Sequence, residues 1–273
     1  LHGADWNDAL DMAWENGESV AFTSAYAENL KEIAQCIRWL EQTTGWKRFE
    51  IAEEMEILFA GGREVYESVE KKREILARYL NTCSHNLSGQ MVIVKAEQVC
   101  RNLEEKADWL MEHIRANEWI TEDEEHGWFN GYYDNHKNPV EGLKDGKVRM
   151  MLTSQVFAIM SKTATEEQVR KICRSADRYL YDEKAGGYRL NTDFDEEKTD
   201  LGRMFGFAYG EKENGAVFSH MAVMYANALY RRGFAREGYK VLQSLLDAAM
   251  RFENSRMYPG LPEYFDLSGR GMY

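Results

Sequence analysis

Apolar residues recur at helical spacing along most of the chain. Between residues 18 and 41 they fall at Val20, Ala21, Ala25, Leu30, Ile33, Ile37 and Leu40. Steps of three and four place such residues on one face of a helix. The stretch 47–80 continues with Ile51, Met55, Leu58, Val65, Val69, Ile75 and Leu76, and Gly61-Gly62 divides it into two helices. A further helix is predicted over 92–117, on Val99, Leu103, Ala107, Leu110 and Ile114, and others over 147–161, 165–180, 217–231 and 234–252. Thr163 or Thr165 can cap the 165–180 helix, with Glu166 and Glu167 near the positive end of its dipole.

Three connections break the pattern. Residues 118–146 are dense in Gly, Asn, Asp and aromatics. Residues 182–216 read as a short hairpin around Gly186-Gly187-Tyr188-Arg189-Leu190, then a long loop. Residues 253–273 hold Pro259, Gly260, Pro262 and Gly269. Long irregular loops in a helical domain tend to carry function. They are expected at one end of the helical layer, where successive loops converge. A toroid of paired helices presents loops in this way, and so does a helical repeat array. Periodicity does not separate the two, although no repeat of fixed period is visible.

Composition supports a helical reading. Three prolines in 273 residues, with abundant Ala, Leu, Met, Glu and Lys, favour helices over a sheet sandwich. A chain of this size buries a core without disulfides or metals. The net charge of −12 argues against a phosphodiester partner, which clustered Lys and Arg would have to hold. No apolar run reaches the roughly 20 residues of a membrane helix, so no membrane partner is expected. The start, Leu1 to Asp8, has no basic and no apolar region of a signal peptide, so none is expected there; it also has no Met, so the chain is expected to be a piece of a longer protein. Cys36, Cys83, Cys100 and Cys173 lack CxxC spacing and read as free thiols in a reducing, cytoplasmic compartment.

Four stretches could carry chemistry. Asp5-Trp6-Asn7-Asp8 sets two carboxylates around an aromatic and an amide. An indole stacks on a sugar face, carboxylates and amides bond its hydroxyls, and a carboxyl beside the indole is partly desolvated, as a general acid requires. The plainer reading is a helix cap. Glu213-Asn214-Gly215 leads into a helix bearing His220, placed to donate to an anion at a helix start, or else a core histidine. Glu263, between Pro262 and Tyr264, is a rigid ligand or a surface turn. Asn130 to His136, beside Trp128, is sugar-friendly in composition, or ordinary aromatic packing. No metal-ligand spacing, dinucleotide or Walker loop, or GxSxG elbow is present, so neither metal nor cofactor is expected.

Asp5-Trp6-Asn7-Asp8, Gly17-Glu18-Ser19-Val20, and Glu213-Asn214-Gly215 with His220 together resemble glycoside hydrolase family 94. That family holds cellobiose, cellodextrin, chitobiose and 1,2-β-oligoglucan phosphorylases. Ala9-Leu10-Asp11, the run from Gly206 to Lys212, and the Tyr-Pro-Gly and Gly-Arg-Gly-Met-Tyr ending look most like the 1,2-β-oligoglucan enzymes.

The resemblance implies an all-α (α/α)6 barrel over residues 1–273, incomplete at both ends, and inverting phosphorolysis of β-linked gluco-oligosaccharides, β-1,2 in particular, to α-glucose 1-phosphate. It implies Asp8 as general acid, Trp6 in the donor-sugar subsite and His220 on phosphate. Asp5, Glu213 and Glu263 complete the expected substrate ligands. Phosphate is a co-substrate, and an exposed barrel edge would allow a homodimer. Inverting hydrolysis needs a second carboxylate to activate water, whereas phosphate is already a nucleophile. The competing expectations are an inverting glycosidase, with Glu213 or Glu263 as base, and a non-catalytic sugar-binding module. Family members are longer. The Arg-bearing helices before the first motif and the Thr-Gly phosphate element after the last are not in this sequence.

Overall fold

In a computed structural model, which describes residues 6–256 and 260–273, helices dominate and the sheets are small. Asp5, Tyr258 and Pro259 lie outside the described residues. The helices are α1 (Val20–Thr44), α2 (Glu53–Glu56), α3 (Arg63–Tyr66), α4 (Val69–Cys83), α5 (Ala96–Asn117), α6 (Leu152–Met160), α7 (Glu166–Tyr179), α8 (Ser219–Arg231), α9 (Ala235–Met250) and α10 (Phe252–Ser255). The strands in chain order are β1 (Glu18–Ser19), β2 (Arg48–Ala52), β3 (Met91–Lys95), β4 (Trp119–Thr121), β5 (Gly127–Phe129), β6 (Tyr132–Tyr133), β7 (Gly142–Lys144), β8 (Lys147–Arg149), β9 (Tyr181–Asp182), β10 (Gly187–Tyr188), β11 (Val217–Phe218), β12 (Tyr264–Phe265) and β13 (Gly271–Met272). The chain divides into two compact units, residues 26–113 and the remainder.

The 26–113 unit corrects two expectations. Residues 48–52 and 91–95 are strands, not the starts of helices, and pair antiparallel from Arg48↔Lys95 to Ala52↔Met91. In β2 the apolar Phe49 and Ile51 alternate with the charged Arg48 and Glu50, whereas β3 is apolar from Met91 to Val94 and alternates only in burial, with Val92 and Val94 more covered than Met91, Ile93 and Lys95. β-branched and aromatic side chains pack well on a pleated surface, and cross-strand pairing wins over the helical spacing. Gly61-Gly62 does separate helices as expected, with Gly61 in the left-handed region at φ +79°. Ala34, Val99, Cys100 and Leu103 form the core of this unit. Arg38 grips Glu104 with both fork atoms, Nε at 3.0 Å and Nη2 at 2.6 Å. The Lys106 ammonium donates to the Leu58 carbonyl, and burial pulls it down to about 8.

The larger unit is built on α6 to α9. α6 is buried on every side from Leu152 to Ile159. A helix surrounded by core needs no polar face, so its ends are poorly marked in sequence. It starts at Leu152, after a β7–β8 hairpin that takes residues 147–149. Of the two candidate caps for α7, Thr165 is the one: its hydroxyl accepts from the Gln168 amide while Gln168 reaches back to the Thr165 amide. Thr163 is buried and bonded to Ser161. α8 and α9 are joined by the turn Arg232-Gly233-Phe234. The hairpin expected around Gly186-Gly187 is present as β9–β10. Trp128 is wholly buried, its indole donating to the Arg149 carbonyl at 3.1 Å, so packing is the correct reading of that aromatic.

Candidate active site

Residues 6–17 are turns, and α1 begins only at Val20, so Asp8 caps no helix. The buried Asn7 ties the turn together. Its Oδ1 accepts from the Ala9 amide at 3.2 Å, its carbonyl accepts from the Leu10 amide at 3.1 Å, and its amide nitrogen meets the Met204 sulfur at 3.4 Å. The segment 201–204 lies against this turn. Met12 donates to the Leu201 carbonyl and Met204 to the Ala9 carbonyl, both at 3.1 Å. Only glycine fits at 202, because a Cβ there would stand 2.1 Å from the Ala9 oxygen. This close approach delivers Arg203. Its backbone amide and Nη1 bind the two oxygens of Asp11, at 3.1 and 2.6 Å, and its Nη2 lies 3.2 Å from Asp8 Oδ2.

The second motif reaches the same place. The Trp6 indole N–H donates to His220 Nδ1 at 3.3 Å, with the ring centroids 5.8 Å apart. His220 is the second residue of α8 and is exposed, so it is not a core histidine. Because Nδ1 accepts, the neutral imidazole carries its proton on Nε2, which is thereby a donor. The three-stranded sheet β11–β12–β13 fixes this helix start. The Ser219 amide donates to the Glu263 carbonyl at 3.0 Å, and its hydroxyl to the Pro262 carbonyl at 2.7 Å. Glu263 therefore sits exposed beside the residue that precedes His220.

Glu213 is half-buried in the turn before β11. Asn214 holds that turn, donating to the Phe207 carbonyl at 2.9 Å and accepting from Asn191 at 3.1 Å. Gly215, at φ +86°, passes so close to Tyr209 that a Cβ would lie 2.3 Å from the ring.

A third loop supports the first from behind. β1 pairs with β6, Glu18 opposite Tyr133 and Ser19 opposite Tyr132. The Gly131 carbonyl accepts from Val20 at 2.8 Å and Ala21 at 3.2 Å, and Asn135 accepts from the Glu15 and Asn16 amides. Glu141 is the centre of this support. Its buried carboxyl receives the amides of Gly131 at 2.7 Å and Met151 at 2.6 Å, Gln155 Nε2 at 3.2 Å, and the Ser154 hydroxyl. Burial pushes it up to about 8 against the pull of those donors. Nearby, Glu118 accepts from Asn130 at 2.9 Å and Tyr133 at 3.0 Å, and burial with the Glu118 charge raises the Tyr133 phenol to about 12.

The structure thus sets Trp6 against His220, with Asp8 two residues further along the same turn, the Glu263 carbonyl on the amide of the residue before His220, and Glu213 on the turn that leads into β11. Arg203, Glu141 and Glu118 carry no motif spacing, and sequence reasoning missed them. Among the described residues, Glu122, Asp123 and His126 gather carboxylate and imidazole atoms, but they are bonded to one another and to Tyr179.

The signature of the Glycosyl hydrolase 94 superfamily, catalytic domain, matches residues 86–258, more than half of the chain. A solabiose phosphorylase of Paenibacillus borealis is 28% identical over 47% of this chain and 16% of its own length. A cellobionic acid phosphorylase of Neurospora crassa is 30% identical over 50% of this chain and, again, 16% of its own. A GH63 mannosylglycerate hydrolase of Thermus thermophilus, solved with glucose, superposes with a TM-score of 0.41 at 15% identity, over 80% of this chain and 48% of that one. The chain belongs to the glycosyl hydrolase 94 superfamily, whose catalytic domain is an (α/α)6 barrel.

Proposed function

We propose that these 273 residues are part of the barrel of an inverting glycoside phosphorylase. The enzyme cleaves β-linked gluco-oligosaccharides, β-1,2 in particular, with inorganic phosphate and releases α-glucose 1-phosphate. The contact of Trp6 with His220, two residues from Asp8, carries the reading. It supports a site with one carboxyl to protonate the leaving oxygen and one imidazole N–H to hold an anion. A phosphate oxygen attacks the anomeric carbon, the glycosidic C–O bond breaks, and the Asp8 proton passes to the departing oxygen. Trp6 lies under the donor sugar, and Asp5, Glu213 and Glu263 take its hydroxyls or those of the acceptor. A dianion is better met by imidazole and guanidinium than by a second carboxylate.

The reading is tested with the full-length protein on a panel of β-linked glucose dimers and trimers, with and without phosphate. Glucose 1-phosphate formed only with phosphate, and free glucose formed with arsenate, are the expected results. Release in water alone points to a glycosidase with Glu263 or Glu213 as base; binding without release points to a sugar-binding module.

His220→Ala is expected to raise the KM for phosphate by about 10- to 150-fold, the worth of a hydrogen bond to a charged group, with little change in the KM for sugar. Steady-state kinetics in both directions check it, since the KM for glucose 1-phosphate should rise in parallel. An unchanged phosphate dependence with a lower melting temperature would make His220 a structural residue.

A further inference from the structure

We infer that Arg203 is a positioning residue that acts through Asp8: anchored on Asp11, its guanidinium orients the Asp8 carboxyl and stabilises the charge left on it when its proton departs. The inference rests on Asp8 being the proton donor.

The geometry is a bracket. Two points of Arg203, the backbone amide and Nη1, are fixed on Asp11 Oδ1 and Oδ2. A guanidinium is planar, so fixing one branch sets the direction of the other. The second branch, Nη2, is the one 3.2 Å from Asp8 Oδ2. The bracket is braced in turn, because Gly202 and Met204 on either side lie against the Ala9 backbone. Asp8 needs such help: its side chain is 73% exposed on a turn, and among the described residues its recorded polar partner is Arg203. Stability does not account for the arrangement, since an ion pair this exposed contributes little to it. Among the described residues the ion pair of this carboxyl is with Arg203, and Arg203 is paired in turn with Asp11, so the cation beside Asp8 has its own place set by one anion.

In turnover the Asp8 proton moves to the leaving oxygen as the glycosidic bond breaks and the phosphate oxygen bonds to the anomeric carbon. The negative charge then appears on Asp8, in reach of Nη2. A leaving group that departs without protonation makes this help superfluous.

The test compares two donors on the same preparation of the full-length protein, an oligoglucan and 2,4-dinitrophenyl β-glucoside, so that the ratio of their turnover numbers is independent of the folded fraction. Arg203→Ala is expected to lower kcat on the oligoglucan about 100-fold, the scale of a misplaced catalytic group, with KM little changed. The loss on the dinitrophenyl glucoside should be at least tenfold smaller. Arg203→Lys should recover part of the difference, since lysine keeps the charge but not the fork. Equal losses on both donors, or a raised KM with kcat intact, would overturn the inference and make Arg203 a scaffold residue or a substrate ligand. Asp8→Asn run beside it separates the two levels. If Asp8→Asn shows the donor-dependent loss and Arg203→Ala does not, Arg203 alone is wrongly assigned. If Asp8→Asn shows no such dependence, the proton donor itself lies elsewhere.

Discussion

Asp8→Asn in the full-length protein is expected to lower phosphorolysis by about 10² to 10⁴, the usual worth of general acid catalysis, while oligosaccharide binding stays nearly unchanged. Asparagine keeps the shape of aspartate and can still accept from Arg203 Nη2 through its amide oxygen, so the turn held by Asn7 and the bracket from Asp11 should survive. What is lost is the proton for the leaving oxygen. Turnover by product assay and binding by calorimetry on the same variant check the split. Near-normal turnover would move the proton donor to Asp5.

Glu141→Ala is expected to give the largest loss of stability. It would strand four donors, from Gly131, Met151, Ser154 and Gln155, in a buried space. An unpartnered buried donor costs about 1–3 kcal/mol, and a void adds to it, against about 5–15 kcal/mol for a whole domain. Failure to accumulate as folded protein is the expected outcome. Glu141→Gln is milder: its carbonyl keeps one pair of donors, while its NH2 group faces the other and strands the Gly131 amide.

The pH dependence carries a sign. The folded carboxyl holds its proton up to about 8, whereas the unfolded one releases it near pH 4. Between those values the native state binds more protons, so stability falls as pH rises. The advantage of the native protein over Glu141→Gln should be greatest below about pH 4, decline up to about pH 8, and level off above it. Melting temperatures of both proteins across that range measure it. A difference independent of pH would mean that the four donors keep the carboxylate charged throughout.

Features whose causes are local could be read from the chain. The α7 cap involves residues three apart, Thr165 and Gln168, and the β9–β10 hairpin closes over a few residues. The two motifs that place Trp6, Asp8 and His220 are short and contiguous. What escaped depends on distant partners. β2 becomes a strand because β3 lies alongside, some forty residues on. The segment 6–17 reads as a helix approach until the 201–204 segment is laid against it. Arg203 is an unremarked cation in a long loop until Gly202 brings it to Asp11, 192 positions away in sequence. Glu141 looks like one more acid among 46 acidic residues, and only its burial gives it a role.

The Trp6–His220 contact joins residues 214 positions apart, which has a bearing on how the site comes into being. At ribosomal speeds of about 5–20 residues per second, roughly 10–40 s separate the synthesis of Trp6 from that of His220. For most of that interval the turn bearing Asp8 has neither the imidazole nor Arg203 to lean on. Helices such as α1 can form early from local contacts, whereas the site must wait for its most distant pairings. A nascent chain stalled before residue 203 should therefore leave the indole of Trp6 open to solvent quenchers, and one stalled after the β11–β12–β13 sheet has cleared the exit tunnel should shield it.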